Sequence, residues 1–381
     1  MSDGASRGVL GGLLGAQDGG VLADVCPDAA PLVLLRHAAG RELKVLRTAP
    51  PGTAARRAVV RVHPPRGHGG RVARVRAALA GGALDPTGLA AVARDAGVAG
   101  LPARLSAGSG GALLAFTSRR GRPVVLRIGP AGDGGDPRRS IPTLRRLEAA
   151  GVDRVPRPLA EGVVEHLAWT LEERLTGRSP SRVDAALLAE AGAFCAELPR
   201  SPEARFGAAL EPPLDLAGAG ARYLPDLARR CADVLAAVRE RLDGLPPVAG
   251  HGDLWAGNLL VEQGHLVGVV DWDAFREAAV PGVDLLHLAG TARRRAAHRS
   301  LGAEVLTRPW VDPRVAEALT QLWRGLGIEV PPSQRSAVGL AWWACQAGAD
   351  LARNPGLAGN RGWVQANVVD VLDAWPRLLA G

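Results

Sequence analysis

The run His251-Gly252-Asp253-Leu254-Trp255-Ala256-Gly257-Asn258, followed by Val269-Val270-Asp271-Trp272-Asp273, constrains this chain more than any other feature. Between the two lie short apolar runs, 259–261 and 266–270, with Gln263-Gly264 at the turn, which is the pattern of a tight hairpin. A hairpin there returns the chain beside the loop it has just left and delivers Asp271 at the end of a strand. An Asp on a tight loop with an Asn five residues later presents one carboxylate and one amide oxygen. Asn258 and Asp271 together offer two oxygen donors, a set that suits Mg²⁺ on a phosphate chain. Phosphoryl transfer asks for these parts: metal ions on the phosphates, a carboxylate to position the attacking hydroxyl, and a cradle for phosphate oxygens. The bland alternative is a loop Asp and a turn Asn that only cap neighbouring backbone. The combined spacing favours the chemical reading.

Around this segment the chain changes character twice. From residue 101, runs at 103–105, 113–117 and 123–128 read as strands, the last leading through a Gly/Asp/Pro loop to a helix over 141–150. Runs at 163–169 and 171–175 fit a further hairpin. These signals favour a small antiparallel sheet crossed by one helix. Past Gly177 the pattern is mostly helical, at 183–197, 223–242, 315–326, 335–352 and 363–379, interrupted by the β-rich island 259–270. Upstream, residues 1–20 are Gly-rich, strands are expected at 31–36, 42–47 and 58–63, and helices at 72–80 and 86–95. This α+β segment, residues 1–100, carries no chemical motif, and its role is open.

The run H-G-D-L-W-A-G-N-L-L, then V-V-D-W-D, then Pro281-Gly282-Val283-Asp284-Leu285, resembles the aminoglycoside phosphotransferase / choline kinase family. The H-G-D-L-W version is similar also to the fructosamine kinases of the same superfamily. The resemblance spans about residues 101–381 and is densest over 248–290. It implies a bilobal protein-kinase-like α+β fold: a small antiparallel-sheet N-lobe over 101–177 with nucleotide loop and hinge, and a helical C-lobe over 178–381 with catalytic loop and acceptor site. It implies Asp253 as the catalytic base, His251 as the residue that orients the catalytic loop, Asn258 and Asp271 as Mg²⁺ ligands, and Asp284 as a brace for the loop.

In the N-lobe the resemblance is carried by fewer residues. Ser106 to Gly111 falls where the family folds its nucleotide loop, and Gly108, Ser109, Gly110 and Gly111 would bring backbone N–H groups to phosphate oxygens. An ordinary hairpin turn reads the same way. Arg127, in Val124-Val125-Leu126-Arg127-Ile128, stands where relatives place a phosphate-binding cation, and an Arg fork grips phosphate bidentately. An exposed strand Arg is the alternative. The family's Glu partner for that cation is missing: Ser140 stands four residues before the Leu144-Arg145-Arg146-Leu147 pattern, leaving Asp136, Glu148 or no partner at all. Leu171 to Gly177 resembles the hinge whose backbone meets adenine, so Glu173 and Leu175 become ATP-binding candidates. Trp255, Asp273, Trp342 and Trp343 are candidates for the acceptor pocket. Two adjacent tryptophans cannot share one helix face, so one of the pair is expected in the core and the other is a candidate pocket wall, with plain packing of the pair the favoured reading. The other histidines, His287 and His298 among them, show no ligand or dyad spacing.

Composition mainly excludes. Of 381 residues 47% are apolar and 22% charged, an ordinary globular balance. Basic residues number 46 against 38 acidic, but Lys44 is the only lysine among abundant Gly, Pro and Ala, so Arg abundance reads as compositional bias. Residues 1–100 hold 13 basic and 7 acidic side chains, a surface for an acidic partner or a solvated face. Aromatics are 4% and no nucleic-acid motif is present, so no nucleic-acid partner is expected. The four cysteines form no C-x-x-C pair, which leaves buried thiols. No stretch is apolar enough to span a membrane, and the start lacks a compact signal-peptide core, so a cytoplasmic protein is expected. The sequence thus predicts an ATP- and Mg²⁺-dependent phosphotransferase acting on a hydroxyl of a small molecule: an antibiotic such as an aminoglycoside, an amino alcohol, a sugar or a ketoamine. The rival is a nucleotide-binding regulatory module without turnover, with residues 1–100 docking a protein partner as a further option. The acceptor and the oligomeric state stay open.

Overall fold

A computed structural model of the chain describes residues 32–36, 42–47, 57–62, 86–107, 113–132, 136–200 and 226–380, and these form a mixed α+β fold. Contacts divide the chain into two compact units: Met1–Arg145 with Pro156–Arg174, and Arg146–Val155 with Leu175–Gly381.

The first unit is built on one eight-stranded sheet. Its strands in chain order are β1 (Leu32–Arg36), β2 (Glu42–Arg47), β3 (Arg57–Val62), β4 (Ala99–Ala107), β5 (Leu113–Arg119), β6 (Arg122–Pro130), β7 (Pro158–Val164) and β8 (Leu167–Glu173). The spatial order is β1-β2-β3-β4-β5-β6-β8-β7, antiparallel except for the parallel β3–β4 pair. The three upstream strands therefore continue the sheet that begins near residue 100. Helix α1 (Pro86–Asp95) matches its expected span, and the helix expected at 72–80 lies outside the described residues.

Along β6 the residues alternate. Val124, Leu126 and Ile128 pack with Val92 of α1, with Ala96 just after it, and with Leu167, Trp169 and Leu171 of β8, which sends Val125 and Arg127 to the other face. Trp169 Nε1 donates to Asp95 Oδ2 at 2.9 Å, tying helix to sheet. The β7–β8 hairpin corrects the expected strand break at residue 170. Its turn is the two-residue loop Glu165-His166, with Glu165 at φ 56°, and β8 runs unbroken through a fully buried stretch. A 3₁₀ turn (Pro137–Ser140), capped by Asp136, leads into α2 (Ile141–Ala149).

The second unit is mainly helical: α3 (Ala185–Glu197), α4 (Leu227–Arg241), α5 (Val283–Ala297), α6 (Leu301–Leu306), α7 (Pro313–Gly325), α8 (Pro332–Arg353), α9 (Arg361–Val364) and α10 (Asp370–Ala380). Two of these, α5 and α6, lie outside the segments whose periodicity predicts helix. Local chemistry sets several starts: Asp184, Ser300 and Asp312 each accept a backbone N–H of the first turn. Four short strands interrupt the helices: β9 (Val248–Gly250), β10 (Leu259–Glu262), β11 (His265–Val269) and β12 (Arg276–Ala279), paired as β10–β11 and β9–β12. The β10–β11 turn falls at Gln263-Gly264, as its sequence predicts. Among the described residues no helix is long and apolar enough to cross a membrane.

Helix α8 runs through the middle of this unit and touches α4, α5, α6 and α10. A helix surrounded in this way is apolar on all sides. The packing reading holds and the pocket-wall reading does not: Trp342 and Trp343 are both fully buried. Trp342 lies against Gly290 of α5, where a Cβ would overlap its ring, and Trp343 Nε1 donates to Asn367 O at 2.7 Å. Asn367 sits in a π turn (Gln365–Val369) between α9 and α10, and its Oδ1 accepts from Leu301 N at 2.8 Å at the start of α6.

Candidate active site

The site is built around the loop between β9 and β10. Gly252 has φ 81°, and a Cβ there would overlap the Ala274 carbonyl oxygen, so only glycine fits. Asp284, in the first turn of α5, receives two backbone N–H groups of the loop: His251 N at 2.6 Å and Gly252 N at 3.0 Å. The fully buried His251 ring links both arms of the site. Its Nδ1 accepts from Asp253 N at 3.3 Å and its Nε2 lies 3.1 Å from Val270 O, a pair that fixes the Nε2–H tautomer. Trp272 stands beside that ring at 4.6 Å between centroids and anchors its own Nε1 on Val269 O at 3.0 Å.

The hairpin brings the second oxygen donor back. Val270 N donates to Asn258 O at 2.9 Å, which sets Asn258 beside the residue preceding Asp271. Asn258 Nδ2 donates to Asp253 O at 2.9 Å, so its side-chain oxygen is turned away from the loop backbone. Asp271 has φ 71° and ψ 63°, a left-handed conformation that costs a non-glycine residue of order 1 kcal/mol and concentrates at functional sites. Among the described residues no group of three or more His, Cys, Asp or Glu side chains is gathered as in a metal cage.

Asp253 is the most elaborately held side chain of the group. Its Oδ1 lies 3.1 Å from His287 Nε2, and its Oδ2 lies 3.8 Å from the Arg353 guanidinium. Burial works to raise the Asp253 carboxyl. Only together do the His287 hydrogen bond and the electrostatic pull of His287, Arg353 and His251 outweigh it, and they hold the carboxyl below the usual range. His287 is a residue that sequence reasoning passed over. The available signal was its place three residues after Asp284, one turn along the same helix face.

The other candidates fall as follows. Arg127 is buried rather than an exposed strand residue, with Glu172 Oε1 at 3.6 Å and Ser140 Oγ at 3.3 Å. Glu172, a carboxylate the sequence did not single out, thus stands beside it. Asp136 instead pairs with Arg138 at 2.7 Å, and that bond above all lowers its carboxyl to about 2, against opposition from burial. Gly108, Ser109, Gly110 and Gly111 lie outside the described residues. Glu173 is exposed, with its backbone N–H donated to Arg157 O at 2.9 Å, and Leu175 is half-buried. Trp255 is half-buried under the Arg295 guanidinium, 4.1 Å from its ring centroid, and Asp273 is exposed. Trp342 and Trp343 line no open surface.

Solved structures similar to this chain include aminoglycoside phosphotransferase APH(2'')-Ib bound to ADP, at TM-score 0.49 and 12% identity, covering 76% of this chain and 97% of that one. A thermostable mutant of APH(4)-Ia, in a ternary complex with ADP and hygromycin B, matches at TM-score 0.47 and 17% identity, covering 76% and 98%. APH(3'')-Id from Streptomyces rimosus matches at TM-score 0.40 and 19% identity, covering 67% and 95%. No curated protein matches the chain. A family model described as the phosphotransferase enzyme family matches residues 103–317, a span that holds Arg127, the whole 251–258 loop, Asp271 and Asp284. With more than half of its 381 residues in that match, the chain belongs to the phosphotransferase enzyme family.

Proposed function

We propose that this phosphotransferase moves the γ-phosphoryl group of ATP to a hydroxyl of a small molecule. The acceptor oxygen forms the new bond to phosphorus, the bond to the β–γ bridging oxygen breaks, and ADP leaves. The hydroxyl proton passes to Asp253. The observation that carries this reading is the Asp253 carboxylate itself: ionised, held on one oxygen by His287, and set on a loop whose backbone Asp284 grips. In a loose transition state a carboxylate of lowered basicity serves mainly to orient the hydroxyl.

Asn258 and Asp271 suit Mg²⁺, because one amide oxygen and one carboxylate leave room for water and phosphate oxygens around a hard cation. That cation would neutralise charge developing on the phosphates. In this proposal Arg127 binds phosphate with its fork, Gly108 to Gly111 offer backbone N–H groups, and the Glu173–Leu175 backbone receives the adenine. The rival reading, a nucleotide-binding module without turnover, leaned on Ser140 in place of an acidic residue. Glu172 weakens it, since the Arg127 guanidinium has a buried carboxylate beside it.

The test is incubation of the full chain with γ-labelled ATP and Mg²⁺ against amino alcohols, hexoses, ketoamines and aminoglycosides, with products read by mass. A phosphorylated acceptor is expected. A protein that binds MgATP and transfers phosphate to none of them, nor to water, contradicts the proposal in favour of the silent module.

A further inference from the structure

Asp284 and His287 leave the same face of α5, and both reach one loop. Asp284 takes the N–H groups of His251 and Gly252, while His287 Nε2 meets the Asp253 side chain at 3.1 Å. One helix face therefore holds both the backbone and the carboxylate of the segment. The His287 ring is 1% exposed, and its Nδ1 lies 3.4 Å from Thr291 Oγ1, one further turn along the helix. A contact with an ionised carboxylate requires a proton on Nε2, and in the neutral ring Nδ1 then accepts from the Thr291 hydroxyl. Thr291 is itself buried, so the row Thr291, His287, Asp253 runs outward from the core to the reacting group.

This row addresses a specific weakness of aspartate. The terminal torsion of Asp is a broad, soft well, so an unheld carboxylate turns freely. With Oδ1 bound, the turn is fixed, and Oδ2 is directed to the side where Arg353 stands, its side chain 44% exposed. We propose that His287 is a positioning residue for the transfer step, fixing the rotation of Asp253 so that Oδ2 meets the acceptor hydroxyl, with Thr291 fixing His287 in turn. This rests on the phosphotransferase reading above.

The experiment compares wild type with His287→Gln, His287→Leu and Thr291→Val in steady-state MgATP turnover, with water and with the hydroxyl panel as acceptors, alongside thermal melts. The Gln side chain places its Nε2 amide near the ring Nε2 and keeps the donor, whereas Leu fills similar space without one. His287→Leu is expected to lower kcat about 100-fold, the scale of a misplaced reacting group, with KM for MgATP unchanged. His287→Gln should restore kcat to within about tenfold of wild type, since a neutral donor replaces the ring N–H. If His287→Leu does not fold, the near-isosteric Thr291→Val carries the test through a lower kcat at unchanged KM. Equal kcat in wild type and His287→Leu, or equal losses in the Gln and Leu variants, overturns the positioning role and leaves the enzyme reading standing. A wild type that binds MgATP without any turnover overturns both.

Discussion

The Arg127 guanidinium lies 3.6 Å from the Glu172 carboxylate, with both side chains 8% exposed, and the pair joins neighbouring strands of one sheet. Thr170, not Glu172, is the direct cross-strand partner of Arg127, so the contact is diagonal, between side chains on one sheet face. Ser140 Oγ adds a neutral contact at 3.3 Å from the position where an acidic residue was expected.

Both charges are buried, so weakening this contact carries a stability cost. Glu172→Gln should lower stability, read as a lower urea midpoint. MgATP affinity should fall in Arg127→Ala and persist in good part in Arg127→Lys, which keeps the charge but loses the fork. Unchanged nucleotide affinity in Arg127→Ala would remove Arg127 from the phosphate site.

Asp136 gives a pH signature of its own. Its folded carboxyl lies at about 2 against an ordinary 3.8, chiefly through the Arg138 hydrogen bond. A depressed carboxyl contributes stability that is complete above the unfolded value and is lost as pH falls through the folded one. That shift amounts to about 2 kcal/mol, all of it lost between roughly pH 4 and pH 2. Asp136→Asn should be less stable by about that amount at neutral pH and flatter across that acid window. Parallel acid curves for the two proteins would contradict the assignment.

The loop depends on Asp284 through two charge-assisted hydrogen bonds. Asp284→Ala should cost about 3 kcal/mol, because two loop N–H groups lose a charged acceptor, and should abolish turnover. Calorimetry on the folded variant checks the first part. A loss within experimental error would mean that water replaces the carboxylate without cost.

How much of this was legible in sequence follows from distance along the chain. The 251–273 segment was readable because its hairpin is local: β10 and β11 pair across Gln263-Gly264, and Asn258 and Asp271 follow from that register. His287 was not, since its tie to Asp253 spans 34 residues and depends on how α5 packs. Glu172 was hidden in a similar way, because a diagonal contact exists only once β6 and β8 are in register. The pocket-wall option for the tryptophan pair stayed open for another reason. Helical periodicity separates the faces of Trp342 and Trp343 but does not say that neighbouring helices cover both.

The metal proposal has a direct readout in binding. Mg²⁺ and ATP together should raise the melting temperature of the wild-type protein, since binding to the folded state alone stabilises it by mass action. Asp271→Ala should remove most of that rise, and Asn258→Ala part of it. Equal shifts in wild type and Asp271→Ala would dismiss the cation assignment.

The central claim is that Asp253 acts on the acceptor and not on the nucleotide, and one substitution separates the two. Asp253→Asn keeps the shape of the side chain but cannot take a proton, and its amide suits the His287 donor less well. The lowered carboxyl means that the wild-type group is ionised at neutral pH, so any acid limb of its activity belongs below the ordinary aspartate range. The decisive measurement is turnover of wild type and Asp253→Asn on one acceptor, with MgATP titrated into the same two proteins. Turnover should fall by roughly 10²–10⁴ while MgATP affinity is retained. Equal turnover in the two proteins, or loss of nucleotide binding in step with activity, would contradict the account.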